Sequence, residues 1–345
     1  MMNYSDIIRD NCANHSPVKW WPKFAFHYTD VTNAVSILHS GFLYSRADAS
    51  HLRIMNNDNA SRQVIDMTNS DVVSKVRFYF RPLTPTQYYN EGYKHPALRY
   101  DRDENANIPI PIFFLFDLES LLSVPGVQFS ETTQAGHGSK LLSGEEAFSQ
   151  LNFDYIYDNR LNNLTVTKAY RHAEIVYPNS MPIENHIKFI LCRTDSERTT
   201  LLNLLYECNR LAYAKYKNII KVSREDTFEN NALFLSECLF HNNMISLAFC
   251  DSLQKVKYTK RMIEKFDIRE LSPIKLKICI TWFNSRNLVR HEIVEACIDY
   301  SNPKSYTFRG LPIVPQAHTI GIKVFLEDKL INYTIQSLDA DELLV

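Results

Sequence analysis

Apolar and polar positions switch between two periods along the chain, and the switches mark out its elements. Phe24 to Tyr28 is a short apolar run that reads as a buried strand, with His27 and Thr29 at its end, where polar side chains face a cleft. A helix follows at once. Asp30 or Thr32 can accept the free amides of its first turn, Val35, Ile37 and Leu38 give it an apolar face, and Gly41 stands where a left-handed C-terminal residue belongs. Residues 45–70 are polar and rich in Asn and Asp, which predicts a long loop with one helical turn. Residues 72–82 alternate as a strand stopped by Pro82, and 108–117 is a continuous apolar run of the kind a central strand carries. Further strands are predicted at 127–130, 173–178, 186–192 and 218–223, with short helices at 4–11, 83–92, 118–122 and 145–151. The helix at 83–92 is expected to expose Tyr88 and Tyr89. Thr194 and Glu197 make a capping box that opens an amphipathic helix through Leu201, Leu205 and Ala212.

The pattern changes near residue 230. Residues 232–240 read as a helix, 245–249 as an apolar stretch, and 320–325 and 333–335 as strands, before an acidic tail. Between them, 255–290 is markedly basic, which suits either phosphate contact or a solvated face. A boundary at 229 divides the chain into a first domain, 1–228, and an α+β accessory domain, 229–345.

Composition narrows the chemistry. The 345 residues are 45% hydrophobic and 22% charged, so a packed core is expected rather than disorder. A net charge of -1 provides no global field for a polyanion, so nucleic-acid binding must come from local clusters. The seven cysteines form no Cys-x-x-Cys pair, which is cytosolic, reduced usage; no run approaches the roughly 18 apolar residues of a membrane span. A cytoplasmic protein without a membrane segment is the expectation. Neither a Walker loop nor a Gly-x-Gly-x-x-Gly turn is present, and the histidines show no metal-ligand spacing.

Three islands remain as candidates for chemistry: residues 26–29 with their helix, residues 77–85 around Phe78-Tyr79-Phe80, and residues 171–176 around Ala173-Glu174. Alone, none is specific. A strand-end histidine is more often a satisfied structural residue, and an aromatic strand is more often core. Glu174 is the more informative, since a carboxylate beside an Ile-Val pair either caps an edge or is held partly desolvated for use.

In this order the islands resemble the DarT family, toxins that transfer ADP-ribose from NAD to a DNA base. Its first pattern, His-x-Thr, an Asn on the helix, Ile-Leu and Gly-x-Leu, is met by His27, Thr29, Asn33, Ile37, Leu38, Gly41 and Leu43. Its second, Phe-Tyr-Phe-x-Pro-x-Ser/Thr-Pro, is met by residues 78–85, and its third, Ala-Glu before apolar residues, by Ala173 and Glu174. The family places an arginine in the loop between the first two patterns; Arg62 matches best, with Arg46 and Arg53 as alternatives. Thr86-Gln87-Tyr88 departs from the family's Met-Leu-Tyr, and the C-terminal third has no counterpart.

The resemblance implies an α+β ADP-ribosyltransferase fold, two facing mixed or antiparallel sheets around an NAD cleft, and a metal-free reaction with NAD as co-substrate. Breaking the nicotinamide–ribose bond develops an oxocarbenium-like centre, which a carboxylate stabilises, so Glu174 is the expected catalytic residue, with Arg62 at the pyrophosphate or reaction centre. Tyr79 is expected to stack nicotinamide, His27 to bond a ribose hydroxyl, and Tyr28, Thr29, Asn33, Gly41 and Leu43 to line the rest of the dinucleotide site. Arg81, Tyr88 and His172 are the candidates for contact with the nucleic acid, single-stranded DNA being favoured over RNA. The family also implies a cognate antitoxin. RNA-base modification in phage defence, or modification of protein, are the rival activities.

Overall fold

The computed structural model describes residues 2–54, 73–100, 103, 107–134, 140–160, 164–285 and 287–338. Its first part is organised on β4 (Pro111–Asp117), whose residues Ile112 to Phe116 are all buried, as a strand with neighbours on both edges and cover on both faces must be. Around it lie β1 (Phe24–Asp30), β3 (Lys75–Tyr79), β5 (Gln128–Ser130), β6 (Glu174–Pro178), β8 (Ile187–Cys192) and β9 (Ile220–Val222). They form one seven-stranded sheet in the order β5-β6-β3-β1-β4-β8-β9, antiparallel except for β8 with β9. A ribbon of β2 (Phe42–Leu43) and β7 (Met181–Pro182) lies beside it. The expected α+β class is found.

Local chemistry sets the turn out of β1. The Asp30 carboxylate accepts from the Thr32 amide at 2.8 Å and its hydroxyl at 2.5 Å, capping the helix Val31–Ser40. That helix ends on Gly41, whose φ of 75° suits a residue without a Cβ and lets its amide reach the Ile37 carbonyl at 2.8 Å. Thr194 caps the helix Asp195–Cys208 through the Glu197 amide, but Glu197 does not complete the box; its carboxylate turns to Arg193 instead. The amphipathic helix predicted to run through Ala212 stops at Asn209, whose side chain caps a second helix, Arg210–Tyr216.

Beyond residue 230 two sheets appear. Strands β10 (Phe234–His241), β11 (Met244–Cys250) and β14 (Tyr306–Phe308) make one; β12 (Ile274–Asn284), β13 (Asn287–Ile298), β15 (Thr319–Leu326) and β16 (Lys329–Ser337) make the other. The helix expected at 232–240 is therefore strand β10. Asn242 and Asn243, with φ of 49° and 53°, form the two-residue turn that folds it onto β11. The basic run at 255–290 is not one surface either: it covers most of the helix Leu253–Phe266 and reaches into β13. Lys255 is buried against Asp251 at 2.7 Å, Lys275 pairs with Glu295 at 2.8 Å, and Lys277 lies 4.9 Å from the Phe325 ring.

The two cores do not divide cleanly at residue 229. Tyr93 and Leu98 are fully buried in the second core, and Tyr88 and Tyr89 pack against it, so residues 88–100 belong with the C-terminal sheets. The halves also meet where the helix Asp195–Cys208 lies on β16. There the Tyr333 amide donates to Thr200 Oγ1 at 2.8 Å and Asn332 to Ser196 at 2.7 Å.

Candidate active site

Strand register assembles the site. Tyr79 of β3 stands opposite Glu174 of β6, Ser130 of β5 opposite the other edge of Glu174, and Phe26 of β1 opposite Tyr79. Directly opposed residues share a face, so these four form a row across the sheet. Arg77, two residues before Tyr79, faces the same way and closes a fork on the carboxylate: Nε to Oε2 at 2.7 Å and Nη2 to Oε1 at 2.7 Å. The Glu174 side chain is 1% exposed and that of Arg77 is 30% exposed, so the anion is enclosed and its partner reaches the surface. Burial alone would lower the Arg77 pKa; the adjoining carboxylate outweighs it and raises it. Burial, and then the charge of Glu174, raise the Tyr79 pKa. On the turn that delivers β6, burial holds the His172 imidazole down to about 4, with Lys168 and Arg77 adding to the effect, so it is neutral at physiological pH. The result is an enclosed carboxylate held by an arginine and opposite a tyrosine, able to stabilise a cationic centre brought to this face.

His27 is not part of this group. It follows Phe26, so strand alternation sends it to the opposite face, where it stands across from Phe114 with its ring 6.0 Å from Phe78 and 6.3 Å from Phe114. Its Nδ1 meets the Arg77 carbonyl at 3.1 Å, which ties β1 to β3, and burial holds its pKa at about 4. Tyr28 packs 5.0 Å from Phe113 with its hydroxyl buried and unpartnered among the described residues. Thr29 is buried opposite Ile112, Asn33 lies in the helix after β1, and Gly41 and Leu43 lead into the β2–β7 ribbon. Arg62 lies outside the described residues.

Two residues assigned to the acceptor have other work. Arg81 is fully buried, with its guanidinium donating to the Pro82, Ile156 and Asp158 carbonyls and to Asn159 at 2.7–3.0 Å, and lying 4.7 Å from the Trp21 ring. Burial lowers its pKa to about 9, still charged at neutral pH, and no donor is left facing solvent to meet a phosphate. Tyr88 is half-buried: it packs 5.4 Å from Tyr258 and its hydroxyl accepts from Arg261 at 3.4 Å. His172 stays beside the site.

The missed residue is Arg77. Its signal was a charged residue between Val76 and Phe78, both apolar, at the alternation that puts it on the face of Tyr79. A second missed cluster, Glu91 with Arg193 and Glu197, lies fully buried at the junction of the halves. No group of metal-ligating side chains occurs among the described residues.

The family model described as ssDNA thymidine ADP-ribosyltransferase, DarT, matches residues 26–220. No curated protein matches the chain. Among solved structures it is similar to Thermus sp. 2.9 DarT in complex with NAD+, at 15% identity over 60% of this chain and 98% of that one, with a TM-score of 0.46. The same Thermus protein in complex with ADP-ribosylated ssDNA matches at 15% identity over 60% and 96%, with a TM-score of 0.49. Thermosipho africanus DarTG in complex with ADP-ribose matches at 14% identity over 64% and 54%, with a TM-score of 0.45.

Proposed function

The chain belongs to the DarT family of single-stranded-DNA thymidine ADP-ribosyltransferases, and from that premise we propose that Glu174 is the carboxylate through which it moves ADP-ribose from NAD to a base. The observation that carries this reading is the enclosure of Glu174 on one sheet face with Tyr79 and Arg77. As the bond from ribose C1′ to nicotinamide breaks, its electron pair leaves with nicotinamide and the ribose gains cationic character, which the carboxylate stabilises. The base nitrogen then bonds to C1′ and gives its proton to Glu174, a contribution of about 100- to 10,000-fold. Tyr79, in the same row, offers its ring to the nicotinamide; Arg62 is proposed for the pyrophosphate. The His27 imidazole is assigned to holding β1 on β3 rather than to the ribose.

An enzyme that marks DNA endangers the cell that makes it, so a cognate antitoxin and a cytoplasmic setting are part of the proposal. No described helix is long and apolar enough to cross a membrane.

The test is mass spectrometry of nucleosides after incubation with NAD and, separately, thymidine-containing single-stranded DNA, thymidine-free DNA, RNA and protein. Nicotinamide release with ADP-ribosylated thymidine is the expected result; label in RNA or protein alone overturns the acceptor. Glu174→Gln is expected to lose transfer by at least about 100-fold per folded molecule, and undiminished transfer removes Glu174 from the mechanism.

A further inference from the structure

We propose that Arg77 is a positioning residue for the transfer, its guanidinium fork holding the Glu174 carboxylate oriented and supplying its counter-charge while the reaction proceeds; this rests on the reading of Glu174 given above. Both carboxylate oxygens are bound by this one side chain, each at 2.7 Å, so the plane of the acid is fixed by the plane of the guanidinium. A lysine would supply the charge without the fork.

No other described group replaces it. Ser130, directly opposite on β5, donates its hydroxyl to the Thr132 carbonyl at 2.8 Å. Tyr79, opposite on β3, turns its hydroxyl to Thr86. His172, on the turn before β6, is neutral at physiological pH. Lys75, further along β3, is bonded to Gln128 at 2.9 Å, and Lys168 acts on His172. With Arg77 gone, Glu174 would be an enclosed carboxylate without a counter-charge, and such a group keeps its proton to higher pH.

A merely structural pair would serve to hold β6 on β3. That task is already done by a ladder of five opposed residue pairs, from Lys75 with Pro178 to Tyr79 with Glu174. The pair is also open on one side, with the Arg77 side chain 30% exposed.

The experiment is the pH profile of nicotinamide release and DNA modification, from pH 5 to 9, for the unaltered protein, Arg77→Gln, Arg77→Lys and Glu174→Gln, with melting temperatures alongside. Arg77→Gln is expected to lose rate most steeply at the acid end and to recover as pH rises, its acidic limb displaced upward by about 1–3 units. Arg77→Lys is expected to restore part of the rate and part of the displacement. A folded Arg77→Gln whose rate is unchanged, or lowered by one factor at every pH, overturns the proposal. Where Arg77→Gln does not fold, Arg77→Lys decides: a lowered kcat, from a charge without the fork, supports the proposal and an unchanged one overturns it. Glu174→Gln separates the two failures, since activity in that variant sinks the reading of Glu174 itself, whereas its inactivity beside an undisplaced limb sinks only the role of Arg77.

Discussion

Two carboxylate–arginine clusters sit in this chain, and they are built on opposite principles. At Glu174 one arginine meets one carboxylate on a sheet face, and 30% of the arginine side chain is exposed. At the junction of the halves, Glu91, Arg193 and Glu197 are sealed, with side chains 0–3% exposed. There Arg193 is held between Glu197, Glu91 at 3.5 Å and the Pro109 carbonyl at 3.2 Å, with its cation 3.8 Å from the Phe234 ring. Glu91 in turn accepts from Gln87 at 2.6 Å and from the Glu229 and Asn230 amides at 2.9 and 2.8 Å. A buried charge costs little only when every lone pair and donor is answered, and the junction answers them with backbone amides that fix where residues 229 and 230 cross. The pair at Glu174 has no such backbone shell among its described contacts. At the junction closure comes with complete hydrogen bonding; at Glu174 the anion is enclosed while its partner stays open to the surface.

The largest way to break this comparison is Glu91→Ala. It leaves Arg193 with half its counter-charge and strands two amides, and removal of one partner from a buried network typically costs about 3–5 kcal/mol. Urea unfolding is expected to show that loss, while transfer per folded molecule stays unchanged. The reverse outcome, full stability with lost transfer, would mean that the junction and the active site are one system. Gly92 tightens the same spot: its φ is 73°, and an added Cβ would come within 2.6 Å of the Ala232 Cβ, so the chain at Glu91 has little room to relax.

Much of the first half was legible because its rules are local. The strand at 24–30, the helix capped by Asp30 and closed by Gly41, and the apolar run of β4 follow from alternation, capping and continuous hydrophobicity within a dozen residues. Glu174 and Tyr79 could be singled out one by one, but that they are opposite neighbours is a matter of register between segments nearly 100 residues apart, which no local pattern carries. The same lack hides which face His27 takes: one residue of register separates the row of Phe26 from the face of Phe78. Arg81 was a candidate for nucleic-acid contact because its partners, the carbonyls of Ile156 and Asp158, lie at and just past the end of a helix far along the chain. Residues 232–240 suit helix or strand alike by local pattern, and it is the turn at Asn242 and Asn243, folding β10 onto β11, that makes them a strand.

The next effect is smaller and tells the two faces of the sheet apart by acid. His27 and His172 are both held near 4 by burial, whereas in the unfolded chain they take up a proton near 6.5. Between those values the unfolded state binds more protons, so stability falls as pH is lowered from about 6.5 towards 4, by at most about 3 kcal/mol for each histidine. Urea midpoints at pH 7 and pH 5 measure the loss. His27→Gln and His172→Gln are each expected to flatten it, and only the second, beside Arg77, is expected to alter transfer. An unchanged slope in both variants would assign the acid sensitivity to other groups.

The smallest effect is the control that separates burial from pairing. Lys275 and Glu295 make an ion pair at 2.8 Å on the second sheet, each side chain 51% exposed, in the stretch whose basic residues suggested phosphate contact. Exposed pairs of this kind contribute little, because solvent screens them and two long side chains must be held still. Lys275→Ala is therefore expected to leave the urea midpoint nearly unchanged, in contrast to Glu91→Ala, although each removes one member of an ion pair. The same variant tests the phosphate reading, because a lysine bound to a DNA phosphate releases a counterion and its loss lowers the salt slope of binding by about 1. With the Lys275 ammonium already on Glu295, the slope is expected not to move; a drop of that size would show that DNA competes with Glu295 for it and would return this sheet to the nucleic-acid surface.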